Sequence, residues 1–392
     1  MQNGSVKQRQ LWIPLVFFLL GVGALIYYKT APYEHSLSAL IGIWEGFYEI
    51  NPNLVDSQFV IYKSGGYDGQ FFYFLAKDMF VGGDWDLIVD SYHFRFHRMG
   101  LSLFVGLFSS IFGFSHYPLV TLLFLFVVFA LSVFCLFSLL PDSKKWLVLF
   151  YLFSPFSLNS NLLLVADSLF VSFGIIAFYF FTNKKDLLAA FFFLLMVITR
   201  ELGILFLIPI VFNALTEKKW EKMALYSIPG IVFVCLVGYG LIYPPNHLGT
   251  NPLGFRDMTD FPLFGFFKSF MENGSFQFKP KEFPKVLFFI SFLALSIASI
   301  QSLKDSFSKN INILVPIFGS LFVILIAEEG YWRSFDNLSR MFTLILPFSL
   351  LLDDAYKKPF IRLFLGISIT LFLFLIIRIL WITPHKEYFL SL

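Results

Sequence analysis

The sequence predicts an all-α polytopic membrane protein: one bundle of about ten or eleven helical segments, with a large first external loop that bears short surface helices. Three observations predict it. Of 392 residues, 57% are hydrophobic and only 14% charged, where a soluble domain carries about a quarter charged residues. Mean hydropathy is +0.75. Apolar runs near the length of a bilayer crossing, about 20 residues, recur from end to end, many of them built from the 56 Phe. A chain this apolar excludes a soluble enzyme, a disordered protein and a disulfide-knit secreted module. The net charge of +3 gives no electrostatic case for nucleic acid. Cys135 and Cys235 lie inside apolar runs and read as small core residues, with no disulfide expected.

The first run, Leu11 to Tyr28, follows Lys7 and Arg9 and has no small-x-small cleavage site after it. It reads as an uncleaved anchor with a cytoplasmic N-terminus. Residues 29–97 form the first external loop. Leu101 to Phe114 and Pro118 to Leu140 come next. Two full crossings there would put Lys144-Lys145 on the wrong side, so either Leu101 to Phe114 is a partial, re-entrant helix, the reading favoured here, or the lysine rule fails at this point. Trp146 to Phe181 is broken by the polar, Pro-containing stretch 154–161. Leu187 to Leu215 is too long for one span and reads as two short helices meeting at Arg200-Glu201. Met223 to Tyr243, Val286 to Ser302, Ile311 to Ala327, Met341 to Leu352 and Phe360 to Trp381 complete the set. Lys144-Lys145, Lys184-Lys185, Lys218-Lys219, Lys304/Lys309 and Lys357-Lys358 then share the cytoplasmic side. Residues 244–282 become a second large external loop. With no repeat and no soluble segment, residues 1–392 read as a single integral membrane domain, expected in a bacterial inner (cytoplasmic) membrane.

That orientation gathers the unusual polar residues on the external face: Asp68, Asp167, Arg200, Glu201, Glu328, Glu329, Arg333, Asp336 and Arg340. Charge at membrane depth is costly and lines a cavity or site; at helix ends it also serves as interfacial anchoring. The densest signal is Ser64-Gly65-Gly66-Tyr67-Asp68-Gly69-Gln70-Phe71-Phe72-Tyr73. Apolar residues at 71, 72, 75 and 79 predict a short helix on the membrane surface, with Asp68 at its start. An aspartate there is equally an ordinary helix cap. Asp84-Trp85-Asp86 has the D-x-D form that can hold a divalent metal. The triplet is common by chance, so no cofactor is assigned from it. His93, Arg95 and His97 alternate with Tyr92, Phe94 and Phe96, a basic, aromatic approach suited to lipid headgroups or phosphate. Asp167 and Arg200 share a depth and are paired on that ground. Arg340 opens a short apolar run ending at Pro347, where its planar fork suits a phosphate.

These groups match the demands of sugar transfer from a lipid phosphate. One base takes the proton of an acceptor hydroxyl, and cations stabilise the departing phosphate. The layout of one anchor helix, an external loop with an acid and many short helices resembles the GT-C glycosyltransferases. Gly66-Tyr67-Asp68-Gly69-Gln70-Phe71-Phe72-Tyr73 is similar to the Y-D-G-Q-F-Y-Y loop of bacterial members of that superfamily. Their following Y-x-x-x-R segment is similar to the stretch Tyr92 to Arg98, their T-R-E triplet to Thr199-Arg200-Glu201, and their late R-x-x-x-x-x-x-P pattern to Arg340 through Pro347. The layout also resembles the mannosyltransferases of glycolipid-anchor assembly, although Ser154-Pro155 stands here for Asn-Pro and Asp167 for the commoner Glu. The resemblance implies a polyprenyl-phosphate-linked sugar donor used on the non-cytoplasmic face, and a lipid or glycan acceptor. It implies Asp68 as the base and Asp167 as a second catalytic carboxylate. Tyr67, Gln70, Arg95, Arg98, Arg200, Glu201 and Arg340 would bind substrate, with no metal ligand named. The competing class is a lipid or small-solute transporter. Such proteins often show paired halves with broken helices, and this sequence has no such repeat.

Overall fold

The computed structural model describes residues 2–82, 95–242, 258–272, 275–279, 282–305, 307–353, 355–382 and 385–392. The chain opens with α1 (Gln2–Thr30). Two 3-10 turns, Ala31–Tyr33 and Leu37–Leu40, lead to β1 (Ile43–Trp44), α2 (Glu45–Ile50), β2 (Val60–Tyr62) and α3 (Gly69–Val81). Then come α4 (Gly100–Phe112), α5 (Tyr117–Leu139), α6 (Val148–Leu152) and α7 (Pro155–Leu162). They are followed by α8 (Asp167–Thr182), α9 (Asp186–Thr199), α10 (Ile204–Thr216) and α11 (Trp220–Ile242). The second loop carries α12 (Phe264–Lys268) and the hairpin of β3 (Met271–Glu272) with β4 (Ser275–Phe276). The rest is α13 (Phe283–Asp305), α14 (Phe307–Ile326), α15 (Glu329–Arg333), α16 (Phe335–Phe342), α17 (Ile345–Leu350), α18 (Pro359–Ile377) and β5 (Tyr388–Leu390).

The protein is all-α and polytopic. Leu11–Tyr33, Phe114–Leu139, Trp220–Ile242, Phe283–Lys304 and Pro359–Ile382 are long and apolar enough to cross a membrane. Other passes are shorter. α9 has 14 residues and α10 has 13, about 20 Å of rise each against a hydrocarbon core of about 30 Å. Phe156 of α7 lies among Phe288, Phe342 and Phe364, with ring centroids 6.0, 5.8 and 6.3 Å away. That one aromatic cluster joins α7, α13, α16 and α18.

Contacts between the loops define two faces. On one, Lys144 stands over the Tyr356 ring at 4.9 Å. On the same face Lys358 donates to Ser302 Oγ at 2.8 Å, and Lys222 pairs with Asp186 at 2.7 Å. Trp12 packs on Phe134 at 4.9 Å, which brings the start of α1 toward this face too. The lysine-rich loops therefore lie together, as the sequence predicts.

On the opposite face the C-terminal tail returns to the first loop. β5 pairs antiparallel with β2, and β1 pairs parallel with β2. Ser391 Oγ donates to the Asp56 carbonyl at 2.6 Å and accepts from the Phe59 N–H at 2.8 Å. The sheet went unread in the sequence because its strands are two or three residues long, too short to show alternation. Deleting residues 385–392 removes several hydrogen bonds worth about 1 kcal/mol each. The expected result is a thermal midpoint lower by several degrees and faster proteolysis within residues 56–62. An unchanged digestion pattern would contradict the clasp.

Two expectations about the first loop are decided here. α4 begins with Gly100 against Thr199. Just beyond its end, Phe114 lies under Lys77 Nζ at 5.0 Å, and Lys77 pairs with Asp56 at 3.0 Å. Both ends of α4 are thus on the tail's face; it is a partial helix, and α5 alone carries the chain across. α3, by contrast, is not a surface helix. Its residues Gly69 to Lys77 are buried, and Ser102 Oγ of α4 donates to the Phe72 carbonyl at 2.9 Å. The run Phe71 to Ala76 is apolar on every side, so the helix is enclosed and does not float on one face. α2, with no buried residue, is a surface helix.

Candidate functional site

The site is assembled where short helices end beneath the first loop. Between α7 and α8 the chain turns tightly. Ser160 Oγ donates to the Val165 carbonyl at 3.2 Å and accepts from the Ser168 N–H at 2.9 Å, while Leu164 takes a left-handed φ of 50°. This turn starts α8 at Asp167, whose side chain is only 2% exposed. α3 abuts the same turn through Gly69. A Cβ there would sit 2.7 Å from the Ile41 oxygen and 2.8 Å from the Leu163 oxygen, so only glycine permits the approach. Asp68 and Asp167, ninety-nine positions apart in the numbering, are thereby brought to one spot.

Asp68 occupies the cap position of α3, yet its carboxylate makes no cap hydrogen bond. It accepts instead from Arg340 Nη1 at 2.5 Å and Arg95 Nη2 at 3.5 Å. Arg340 Nε donates to Asp167 Oδ2 at 2.7 Å, and Arg200 pairs with the other Asp167 oxygen. The result is one continuous chain of charges, Arg95–Asp68–Arg340–Asp167–Arg200. Arg95 lies flat on Phe71, 4.1 Å from the ring centroid, which holds its guanidinium in place. Burial alone pushes the Asp68 carboxyl up, but Arg340 and Arg95 more than offset it and hold it well below the usual carboxylate range. Asp68 is therefore ionised at neutral pH.

A second pair adjoins. Arg98 grips Glu201 in a bidentate contact, Nε at 2.8 Å and Nη2 at 2.5 Å, with His97 Nε2 at 3.6 Å from the same carboxylate. Gly100 packed on Thr199 sets the approach of Arg98 to Glu201.

α16, which carries Arg340, has only eight residues, too few to hold itself in place. Asp336, one turn before Arg340 and on the same side of the helix, is its tether. It accepts Arg378 in a bidentate contact at 2.5 and 2.8 Å and Asn159 Nδ2 at 3.1 Å. Asn159 also donates to Ser339 Oγ at 2.8 Å. Asp336→Asn leaves the mostly buried Arg378 without its counter-charge, which costs about 3 kcal/mol. We expect α16 to exchange its amide hydrogens faster than the neighbouring α13 in this variant. Equal protection in both proteins would remove the tether.

These charges open onto a cavity of about 770 Å³. Its polar end presents Asp68, Arg95, Arg98, Arg200, Glu201 and Arg340, with His97, Glu328 and Tyr331 beside them. Apolar Phe170, Leu202, Phe233, Val237, Val323, Ile326, Met341 and Leu344 line it too, together with the polar Thr259, Ser320, Asn337 and Thr343. Asp167 lines a small recess that shares Arg95, Arg98, Arg200 and Arg340 with the main cavity. The cavity thus offers both guanidiniums and hydrocarbon, the two kinds of surface that an amphiphile with an anionic head needs.

Of the nine catalytic and substrate-binding residues that the resemblance implies, seven meet here: Asp68, Asp167, Arg95, Arg98, Arg200, Glu201 and Arg340. Arg200 pairs with Asp167 as their shared depth predicts. Tyr67 and Gln70 stand outside the cavity. The Tyr67 N–H donates to the Gly42 carbonyl at 2.9 Å, and its ring packs edge-on against Tyr62 and under Lys386. Gln70 Oε1 accepts from the Trp44 N–H at 3.0 Å. Both shape the loop that presents Asp68. Asp84, Asp86, Tyr92 and His93 lie outside the described residues. Among the described residues no group of three or more His, Cys, Asp or Glu could hold a metal ion. Sequence reasoning missed Tyr331, which has no motif around it, and Arg378, which reads as a snorkelling residue at the end of the last span. The i, i+4 spacing of Asp336 and Arg340 places them on one helix face, but nothing in the sequence points to Arg378 as the partner. No protein-family model, curated protein or solved structure matches this chain.

Proposed function

We propose that the protein is a membrane glycosyltransferase of GT-C type, moving a sugar from a polyprenyl-phosphate donor to an acceptor hydroxyl on the non-cytoplasmic face. The observation that carries the reading is the convergence of Asp68, Asp167, Arg200 and Arg340 beside a cavity that is lined by apolar side chains as well. In this reading the lysine face is cytoplasmic by the positive-inside rule, the N-terminus lies with it, and the site faces out of a bacterial inner membrane.

The chemistry follows from the charge chain. The donor phosphate takes Arg340 and Arg200 as bidentate partners. That frees Asp68 from one of the two cations that hold its carboxyl down, so its basicity rises when the donor is in place. Asp68 then accepts the proton of the acceptor hydroxyl as the new bond to the sugar C1 forms. The bond from C1 to the phosphate oxygen breaks, and its electron pair leaves on the lipid phosphate, held by the arginines. Asp167 keeps Arg200 and Arg340 at the spacing the phosphate needs. The Arg98–Glu201 pair flanks the sugar.

The test compares cell-envelope glycans and glycolipids by mass spectrometry with and without the gene. A hexose or pentose missing from one acceptor supports transfer. An intact set of glycans together with a lipid-linked sugar held back on the cytoplasmic leaflet would favour a lipid carrier, which the same amphiphilic cavity also suits.

A further inference from the structure

The second external loop presents an unusual surface. Eight phenylalanines occur between residues 258 and 283. Phe266 and Phe270 point inward: Phe266 stacks on Phe289 at 4.2 Å and meets Trp332 at 5.0 Å. The other six, Phe261, Phe264, Phe267, Phe276, Phe278 and Phe283, are exposed, Phe261 by 80%.

This loop is fastened to the site-face ends of two helices. The Asp260 and Leu263 N–H groups each donate at 2.7 Å, to the Ile326 and Leu325 carbonyls, and the Glu328 N–H donates to Met258 O at 3.2 Å. A Cβ on Gly265 would strike the Ala327 carbonyl. Phe283, the last of the six, is the first residue of a run that is itself long and apolar enough to cross a bilayer. The exposed patch is thus continuous with the lipid-facing surface of α13. Three lysines beside it are matched within the protein: Lys268 with Glu329 at 3.7 Å, Lys279 with Glu272 and Lys285 with Glu282. Phenylalanine lacks the polar handle that keeps Tyr and Trp at the headgroup level, so such a patch is suited to the acyl boundary more than to glycan or water. The same segment reaches the cavity, whose wall includes Met258, Thr259, Ile326 and Ala327.

We propose that these six phenylalanines insert into the lipid leaflet on the site face and form a hydrocarbon-embedded rim at the cavity mouth. The partner is the bilayer itself. The inference concerns a surface and stands without sugar transfer.

The test uses the full-length protein in nanodiscs of phosphatidylcholine and phosphatidylglycerol, with Cys135 and Cys235 replaced by Ala. Nitroxide labels are placed at F264C and F276C. I231C on the exposed side of α11 serves as lipid reference, and E387C in the tail as aqueous reference. Power saturation should show both rim labels more accessible to dissolved oxygen than to a nickel chelate, as at 231 and opposite to 387. Nickel access equal to that at 387, or shielding from both relaxants, overturns the proposal; the second outcome would mean that a protein surface covers the patch. Hydroxyl-radical footprinting of the unsubstituted protein in the same nanodiscs keeps the idea falsifiable should the labelled variants fail to assemble. Phe261 to Phe278 should be oxidised far less than Tyr388, and equal oxidation would sink it.

Discussion

Asp68→Asn is expected to abolish sugar transfer, by about 10²- to 10⁴-fold if the carboxylate acts as the base, while the protein still accumulates in membranes. The substitution keeps the shape of the side chain but removes the proton acceptor. It does not strand every cation: Arg340 retains Asp167 at 2.7 Å, and Arg95 retains the Phe71 ring at 4.1 Å. Inactivity with a preserved fold is therefore the outcome, read from in vitro transfer and from membrane abundance together. The same variant has a pH signature. Because the folded Asp68 carboxyl lies below its ordinary value, the stabilisation it provides is complete above the unfolded carboxylate value of about 4. It is lost as pH falls through the folded value. The parent should lose thermal stability in acid more steeply than Asp68→Asn, which has nothing to titrate there. Superimposable stability curves, or full activity in the variant, would remove Asp68 from the role given to it.

Arg340→Ala should have the largest effect on stability and on donor binding together. Arg340 pairs with both Asp68 and Asp167. Asp167 is 2% exposed, and taking away half of its compensation costs about 3–5 kcal/mol. Under the proposed function the donor phosphate would lose a bidentate contact as well. With purified protein and a short polyprenyl phosphate such as farnesyl phosphate as probe, binding should fall by at least tenfold. Arg340→Lys should recover part of the stability but little of the binding, because an ammonium cannot reproduce the planar fork. A loss confined to the acceptor would contradict the phosphate role, and a lysine variant that binds as well as the parent would mean that charge alone suffices.

Much of the layout could be read from the chain because membrane helices announce themselves by length and apolarity. The lysine loops sorted the two faces, and parity narrowed α4 to a partial helix or an exception to the lysine rule. Most of the charged site was legible for a related reason. Arg200, Glu201 and Asp167 sit at breaks in apolar runs, where charge is too costly to be casual. What was not legible depended on contacts between distant segments. Tyr67 and Gln70 belong to the same motif as Asp68, yet alternate side chains of a turn point different ways, and these two face the sheet. The enclosure of α3 depends on α4 arriving beside it. The tether from Arg378 to Asp336 joins the last helix to a segment 42 positions earlier, and no periodicity encodes such a meeting.

The pairing of β2 with β5 has a consequence for biosynthesis. β2 emerges from the ribosome with one edge open, and the segment that closes it is made much later: 332 positions separate Phe59 from its partner Ser391. Between them almost every helix must be inserted. The acid-bearing loop can reach its final shape only once β5 has followed, so a chain cut short of β5 is expected to leave that loop unclasped. Leu392 lies two residues beyond β5, its N–H 3.4 Å from the Tyr48 hydroxyl, so any residue joined to it begins beside the clasp.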